Sequence, residues 1–140
     1  MDLPFFLTAV AGFPSPGAEW QESRLNITDL LIPHPASIFY VRCAGDSMLH
    51  AGIHHGDILV VDRALSPAHN DVVIAALGDG GLTVKRLHIS PTGLRLVAEH
   101  PGYPPLDLDM LPGVEIWGVV TFCVHPLSSS VVYPLIKRTL

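Results

Sequence analysis

The chain has 140 residues, 49% of them hydrophobic, and this length and apolar content suit one domain with a substantial buried core. Only 15% of the residues are charged, and a net charge of -5 with eight Lys and Arg argues against direct DNA binding, which cationic side chains mainly supply. The 13 Pro and 12 Gly residues are typical of short strands joined by turns, so we expect a mostly-β fold.

The first ten residues are apolar but include Asp2 and Pro4. They have no basic leader and are shorter than the about 20 residues needed to span a bilayer, so we expect no membrane anchor. Ala9-Val10-Ala11 matches the small-x-small pattern of a signal-peptide cleavage site, but the missing charged start disfavours secretion. We therefore expect a cytoplasmic protein.

The two cysteines, Cys43 and Cys123, lie in strand-like runs and form no motif. We interpret both as small core residues of a protein in the reducing cytosol. A disulfide between them is the alternative, because sequence does not give the distance between their Cα atoms.

Residues 13–35 contain four prolines, and Leu25, Ile27, Leu30 and Leu31 lie among them. This pattern predicts an extended arm with a short ordered patch. At about 3.3 to 3.6 Å per residue, residues 12–39 could span up to about 90 Å, so the arm can reach its own body or that of a neighbour. We predict that residues 1–37 form this N-terminal arm and that residues 38–140 form a β-rich body.

An apolar run, Ile38–Cys43, predicts the first strand of the body. It leads into Gly45 and Asp46, which mark a turn, and so into Ser47. Ser47 and the residues after it predict a single helical turn. The free backbone N–H groups of Asp46 and Ser47 are candidate donors to an oxyanion, and Met48 is more typical of packing than of chemistry.

Three histidines, His50, His54 and His55, follow closely and raise the possibility of a metal site. Their spacing fits no recurring ligand pattern, and the other histidines are scattered singly. We therefore interpret them as loop histidines and predict no metal and no cofactor.

Five further strands are indicated by apolar runs bounded by turn residues. Asp57 and Asp62 bracket a run that we expect to be buried on both faces. Gly78-Asp79-Gly80-Gly81 predicts a hairpin between two of the strands. The predicted strands are Ile58–Val61, Asp71–Leu77 paired with Leu82–Ile89, Leu94–Ala98 and Glu115–Val124.

The second strand of the hairpin carries Lys85. A period of two places Thr83, Lys85, Leu87 and Ile89 on one face. A lysine among apolar neighbours either extends to water or loses its proton, and only a neutral amine can activate a serine hydroxyl. Thr83 is placed to hold the amine by a hydrogen bond. The alternative is an ordinary edge-strand lysine.

Three blocks of the chain resemble the successive motifs of the LexA/UmuD family of self-cleaving Ser/Lys proteins. They are Gly45-Asp46-Ser47-Met48, Gly56–Asp62 and Thr83-Val84-Lys85-Arg86-Leu87. The segments Ala11–Pro16 and Asp29–Pro35 resemble the UmuD-like members more narrowly. The resemblance runs from about Ala11 to about Val124.

This resemblance implies a compact, multi-stranded LexA/UmuD-like β fold, also similar to signal peptidases, with an extended N-terminal arm. It implies a self-cleaving serine peptidase of the SOS response, stimulated by a RecA filament on single-stranded DNA. The truncated product would join a UmuC-like, Y-family translesion polymerase, and the protein would be a homodimer. The residues implied are Ser47 as nucleophile, Lys85 as general base, Ala11-Gly12 as the cleaved bond, and Asp46, Met48 and Thr83 in support.

Three alternatives stay open. A signal-peptidase-like processing protease uses a similar Ser-Met and Lys-Arg pairing, but no apolar run approaches a membrane span. A LexA-like repressor would need a DNA-reading domain ahead of the cleavage site, and only eleven residues precede Gly12. A non-catalytic polymerase-binding module would retain Ser47 and Lys85 as surface residues, and alanine substitutions at the two positions would distinguish it from a peptidase.

Overall fold

A computed structural model of the chain describes residues 1–6 and 21–131. Ala11 and Gly12 lie outside the described residues, so the cleavage site predicted there stays a prediction. Contacts between the backbones divide the chain into two units, Met1–Ala36 and Ser37–Leu140.

The described part of the first unit contains two short strands and one short helix. Strand β1 (Asp2–Phe6) pairs antiparallel with β2 (Gln21–Asn26), and helix α1 (Ile27–Leu31) follows directly. The Asn26 side chain caps α1, because its Oδ1 accepts hydrogen bonds from the backbone N–H of Thr28 at 3.0 Å and of Asp29 at 3.4 Å. The ordered patch is therefore larger than the sequence predicts, since the pairing joins segments 20 or so residues apart.

The second unit is built on one antiparallel sheet, which confirms the mostly-β prediction. Among the described residues, seven strands pair in the order β3-β4-β9-β5-β6-β7-β8. Short 3₁₀ turns occupy Pro35–Ser37, Leu49–Ala51 and Leu108–Met110. The strands are β3 (Ile38–Arg42), β4 (Ile58–Asp62), β5 (Val72–Ala76), β6 (Leu82–Ser90), β7 (Gly93–Val97), β8 (Leu106–Asp107) and β9 (Glu115–Val124).

The described residues form an apolar cluster on each face of the sheet. Along β5 the side chains alternate, so that Ile74 belongs to one cluster and Val73 and Ala75 to the other. Strand β4, which the sequence predicts to be buried on both faces, has Leu59, Val60 and Val61 each at most 1% exposed. The central strands therefore fix the positions of their neighbours.

The prediction of two core cysteines is right for one and wrong for the other. Cys43 is 4% exposed and belongs to the cluster that also contains Met48, whereas Cys123 is exposed. The reason lies in β9, which pairs with β5 only as far as Val119 and with β4 alone beyond it. Beyond Val119, β9 therefore has a described neighbouring strand on one side only, and Cys123 is exposed although its partner in β4, Leu59, is buried.

Gly118 in β9 allows close backbone approach between strands, and this predicts a stability effect. A Cβ at this position would lie 2.8 Å from Val61 Cγ1 and 3.0 Å from the carbonyl oxygen of Asp62. The Asp62 carbonyl is a backbone group and cannot move aside as a flexible side chain can. We therefore expect Gly118→Ala to lower the free energy of unfolding by about 1 to 3 kcal/mol in urea titrations. Gly78→Ala is the matched control, because the atoms nearest to its Cβ would be those of Pro112 and Gly113, at 3.7 Å or more. Equal stability of the two variants would contradict the prediction.

Candidate active site

Ser47 and Lys85 are in direct contact, although 38 residues separate them along the chain. Lys85 lies in β6, and Ser47 lies in the turn that follows β3. The Nζ atom of Lys85 lies 3.0 Å from Ser47 Oγ, within hydrogen-bond distance. The structure thus provides the contact on which a Ser/Lys reaction depends.

The Lys85 amine is removed from solvent and held at three described atoms. The residue is 9% exposed. Besides Ser47 Oγ, its Nζ lies 3.0 Å from Thr83 Oγ1 and 3.2 Å from the carbonyl oxygen of Val84. Burial lowers the pKa of the Lys85 amine, partly opposed by the nearby Cys43 thiol. The effect of burial is the larger, so the neutral form of the amine is more favoured here than it is for a lysine in water.

The apolar surroundings of Lys85 differ from those predicted. Leu87 is 1% exposed, as expected, but Ile89 is 41% exposed and does not help to bury the amine. Ile89 lies beyond the end of β5, where β6 pairs with β7 alone. The cross-strand partner of Lys85 is instead Val73, which is fully buried.

Backbone hydrogen bonds fix the turn that carries Ser47. Gly45 has a φ of 87°, a left-handed conformation that glycine adopts without strain. The N–H of Leu49 donates to the carbonyl of Asp46 at 3.0 Å, and the N–H of Glu99 donates to that of Ser47 at 2.8 Å. Met48 points into the core and is fully buried, which agrees with the packing role expected from the sequence. The helical turn itself begins slightly later than predicted, at Leu49.

A cleft of about 360 Å³ opens beside the two side chains. Tyr103 lines this cleft, and the centroid of the Tyr103 ring lies 5.9 Å from Lys85 Nζ. The Tyr103 hydroxyl donates a 2.6 Å hydrogen bond to Asp46 Oδ1, which lowers the pKa of Asp46 and raises that of Tyr103. The cleft is lined by Val41, Arg42, Cys43, Ala44, Gly45, Ser47, Ile74, Leu82, Thr83, Val84, Lys85 and Tyr103.

Tyr103 is the lining residue that sequence reasoning missed. The segment around it reads only as an irregular, proline-rich loop, and its partner Asp46 lies 57 residues earlier. Asp46 therefore has a structural role, because its carboxylate holds the Tyr103 ring beside the Lys85 amine. The exposed Asp46 carboxylate lies 3.7 Å from His100 Nε2 as well.

Cys43 also lines the cleft. Its pKa is raised, first by burial and then by the Asp57 carboxylate, against a smaller opposing effect of Lys85. A thiol with a raised pKa is a poor nucleophile at neutral pH. Ser47, by contrast, lies in direct contact with a candidate base, the Lys85 amine.

The three neighbouring histidines take three different sets of partners. The His50 ring lies 5.4 Å from that of His100, and His55 Nδ1 accepts a 2.9 Å hydrogen bond from the N–H of Gly45. His54 instead lies beside the buried carboxylate of Asp57. The sequence does not predict this last grouping.

Comparison with known proteins identifies the family of the chain. Residues 4–121 match the model of the Peptidase S24-like family. The chain belongs to this family. It is 44% identical to Protein SamA of Salmonella typhimurium over 120 residues, which cover 86% of this chain and 82% of that protein. It is 38% identical to Protein MucA of Escherichia coli over 129 residues, covering 89% and 87%.

A more distant relative is the LexA repressor of Xylella fastidiosa. The two are 35% identical over 124 residues, which cover 89% of this chain and 58% of the repressor. These relatives place the chain among the UmuD-like members of the LexA/UmuD family, which are SOS mutagenesis proteins and, in general, self-cleaving serine peptidases. Within the described ranges, no helix has the length and apolar character needed to cross a bilayer.

Proposed function

We propose that this S24-family chain cleaves its own Ala11-Gly12 bond, with Ser47 as nucleophile and Lys85 as general base. The observation that supports this most is the 3.0 Å contact between Ser47 Oγ and the amine of a lysine that is 9% exposed. A serine hydroxyl needs a neighbouring base, and a lysine becomes one only when burial lowers its pKa.

The three partners of Lys85 Nζ match the needs of a neutral amine. Such an amine has two N–H donors and one lone pair. The donors can serve Thr83 Oγ1 and the Val84 carbonyl, and the lone pair is then left to accept the proton of Ser47 Oγ. Thr83 therefore acts as a positioning residue.

The reaction would proceed through an acyl-enzyme. Ser47 Oγ attacks the carbonyl carbon of Ala11, and its proton passes to Lys85 Nζ. Collapse of the tetrahedral intermediate breaks the Ala11-Gly12 bond, and the leaving amine of Gly12 takes the proton from Lys85. Water then hydrolyses the Ser47 ester of Ala11. The backbone N–H groups of Asp46 and Ser47 stay our candidates for holding the oxyanion.

The UmuD-like relatives support a wider role in SOS mutagenesis. We propose that a RecA filament on single-stranded DNA stimulates the cleavage. The product beginning at Gly12 would then act as a homodimer with a UmuC-like, Y-family polymerase in translesion synthesis. The 44% identity to SamA over most of both chains supports this assignment.

The pH dependence of self-cleavage tests the role of Lys85. Only the neutral amine accepts the Ser47 proton, so the rate should rise as pH increases toward the pKa of Lys85 and level off above it. Because burial lowers that pKa, the midpoint of the rise should lie below the ordinary value of 10.5. Pure protein incubated at neutral and mildly basic pH, without RecA, should yield fragments 1–11 and 12–140 by mass spectrometry, faster at the basic pH.

The Ser47→Ala chain is the control for this experiment, because it excludes hydrolysis by base or by a contaminating protease. A rate that does not change with pH would contradict the assignment of Lys85 as base. Complete absence of fragments, with or without a RecA filament, would favour a non-catalytic polymerase-binding module.

A further inference from the structure

A second group of reactive side chains, which the proposed mechanism does not use, surrounds the buried carboxylate of Asp57. Asp57 is fully buried. Its Oδ2 lies 3.7 Å from His54 Nδ1 and 3.2 Å from Cys123 Sγ, and its Oδ1 makes a short contact with His125 Nδ1. One ligand atom from each of His54, Asp57 and His125 lies within 4.8 Å of the others.

The fold brings these residues together by strand pairing. Asp57 directly precedes β4, and β4 pairs antiparallel with β9, so that Ile58 lies opposite Val124. Cys123 and His125 therefore stand on either side of the residue paired with the start of β4. His54 is fixed from the other side, because its backbone N–H donates to Asp57 Oδ2 at 2.8 Å.

The distances from Asp57 are close to those of a tetrahedral metal site. Cys123 is not among the three residues whose ligand atoms all lie within 4.8 Å of one another, so its thiol would have to move toward the two histidines. Zinc binds nitrogen and oxygen at about 2.0 to 2.2 Å and sulfur at about 2.3 Å, which puts neighbouring ligand atoms about 3.3 to 3.6 Å apart. The contacts of Asp57 Oδ2 with His54 Nδ1 and Cys123 Sγ, at 3.7 and 3.2 Å, already approach this range. The contact between Asp57 and His125 would have to lengthen by somewhat less than 1 Å.

We propose that His54, Asp57, Cys123 and His125 form a binding site for a divalent cation of the zinc type. Two imidazoles, a thiol and a carboxylate are the donors that zinc prefers, whereas magnesium and calcium prefer sites made only of oxygen. The side chains of His54 and His125 are 46% and 37% exposed, so a cation can reach the buried carboxylate from solvent.

The site adjoins the turn that presents Ser47. The carbonyl of Asp57 accepts a 2.8 Å hydrogen bond from the N–H of Cys43, and the N–H of Gly56 donates to the Cys43 carbonyl at 2.7 Å. His55, next to a proposed ligand, accepts from the N–H of Gly45. A bound cation would therefore link the end of β9 to the loop that supports the nucleophile.

Direct binding tests this proposal on the intact chain. The protein should carry no affinity tag, and the Ser47→Ala substitution keeps it uncut. We expect titration calorimetry to give one Zn²⁺ per chain, and Co²⁺ to give an absorption band from thiolate coordination. Both His54→Ala and His125→Ala should weaken Zn²⁺ binding at least tenfold, and Cys123→Ser should remove the thiolate band.

The control for nonspecific binding is His88→Ala. The His88 ring lies next to that of His69, so the substitution removes one of two neighbouring histidines outside the candidate site and should leave Zn²⁺ binding unchanged. Circular dichroism should show that all variants are folded. Absence of stoichiometric Zn²⁺ binding, or binding that His54→Ala and His125→Ala leave unchanged, would overturn the proposal. The cluster would then be a carboxylate stabilised by hydrogen bonds alone.

Discussion

Replacing Lys85 with Met should reduce the rate of self-cleavage by at least the about 10²- to 10⁴-fold that general-base assistance supplies. Methionine preserves much of the length of the side chain and is readily buried, so the substitution removes the amine while keeping the packing. Ser47→Ala should leave no fragment at all, because it removes the atom that forms the acyl-enzyme. The measurement is the rate at which fragment 12–140 appears at a fixed basic pH, followed by mass spectrometry.

Two matched variants make this result specific. Ser66→Ala removes an exposed loop serine and should cleave at the rate of the unmodified chain. Thr83→Val removes one of the hydrogen-bond partners of Lys85 Nζ and should slow cleavage less than Lys85→Met, since the amine remains. A Lys85→Met chain that is folded and cuts itself at an undiminished rate would exclude Lys85 as the base.

Much of the sheet could be predicted from local patterns. The strand Glu115–Val124 was predicted with the bounds that β9 has, and the hairpin that carries Lys85 with bounds close to those of β5 and β6. These segments are apolar runs bounded by turns that contain glycine or proline, which is the pattern that local sequence expresses best. The pairing of β1 with β2 has no such local pattern, because it depends on residues far apart in the chain.

The same distinction holds for the candidate site. The contact between Ser47 and Lys85 was expected because family motifs mark both residues. Nothing local marks the hydrogen bond between Tyr103 and Asp46, since it depends on how an irregular loop returns over the cleft. The exposure of Ile89 depends on where the neighbouring strand ends, which a period of two does not express.

The Asp57 cluster shows the same limit from another side. Along the chain, the spacing of His50, His54 and His55 fits no metal-ligand pattern. The residue that completes the cluster, His125, is 68 positions from Asp57 and approaches it only through the register of β4 and β9. Ligand spacing along the chain cannot reveal a site that strand pairing assembles.

Met48→Ala should lower the free energy of unfolding by about 2 to 5 kcal/mol, the range for truncating a large buried side chain to alanine. Met48 is fully buried and packs in the cluster that also contains Leu59 and Ile74, so the truncation leaves a cavity beside the Ser47 turn. Urea titrations should be made in the Ser47→Ala background, in which self-cleavage does not interfere.

Met110→Ala is the matched control, because the same atoms are removed from a residue that is 77% exposed. Its stability should change by no more than about 0.5 kcal/mol. The proposed mechanism assigns Met48 no chemical step, so with Ser47 restored, a folded Met48→Ala chain should lose far less cleavage rate than Lys85→Met. If Met48→Ala were as stable as Met110→Ala yet lost cleavage completely, Met48 would serve the chemistry directly, and its assignment as a packing residue would be wrong.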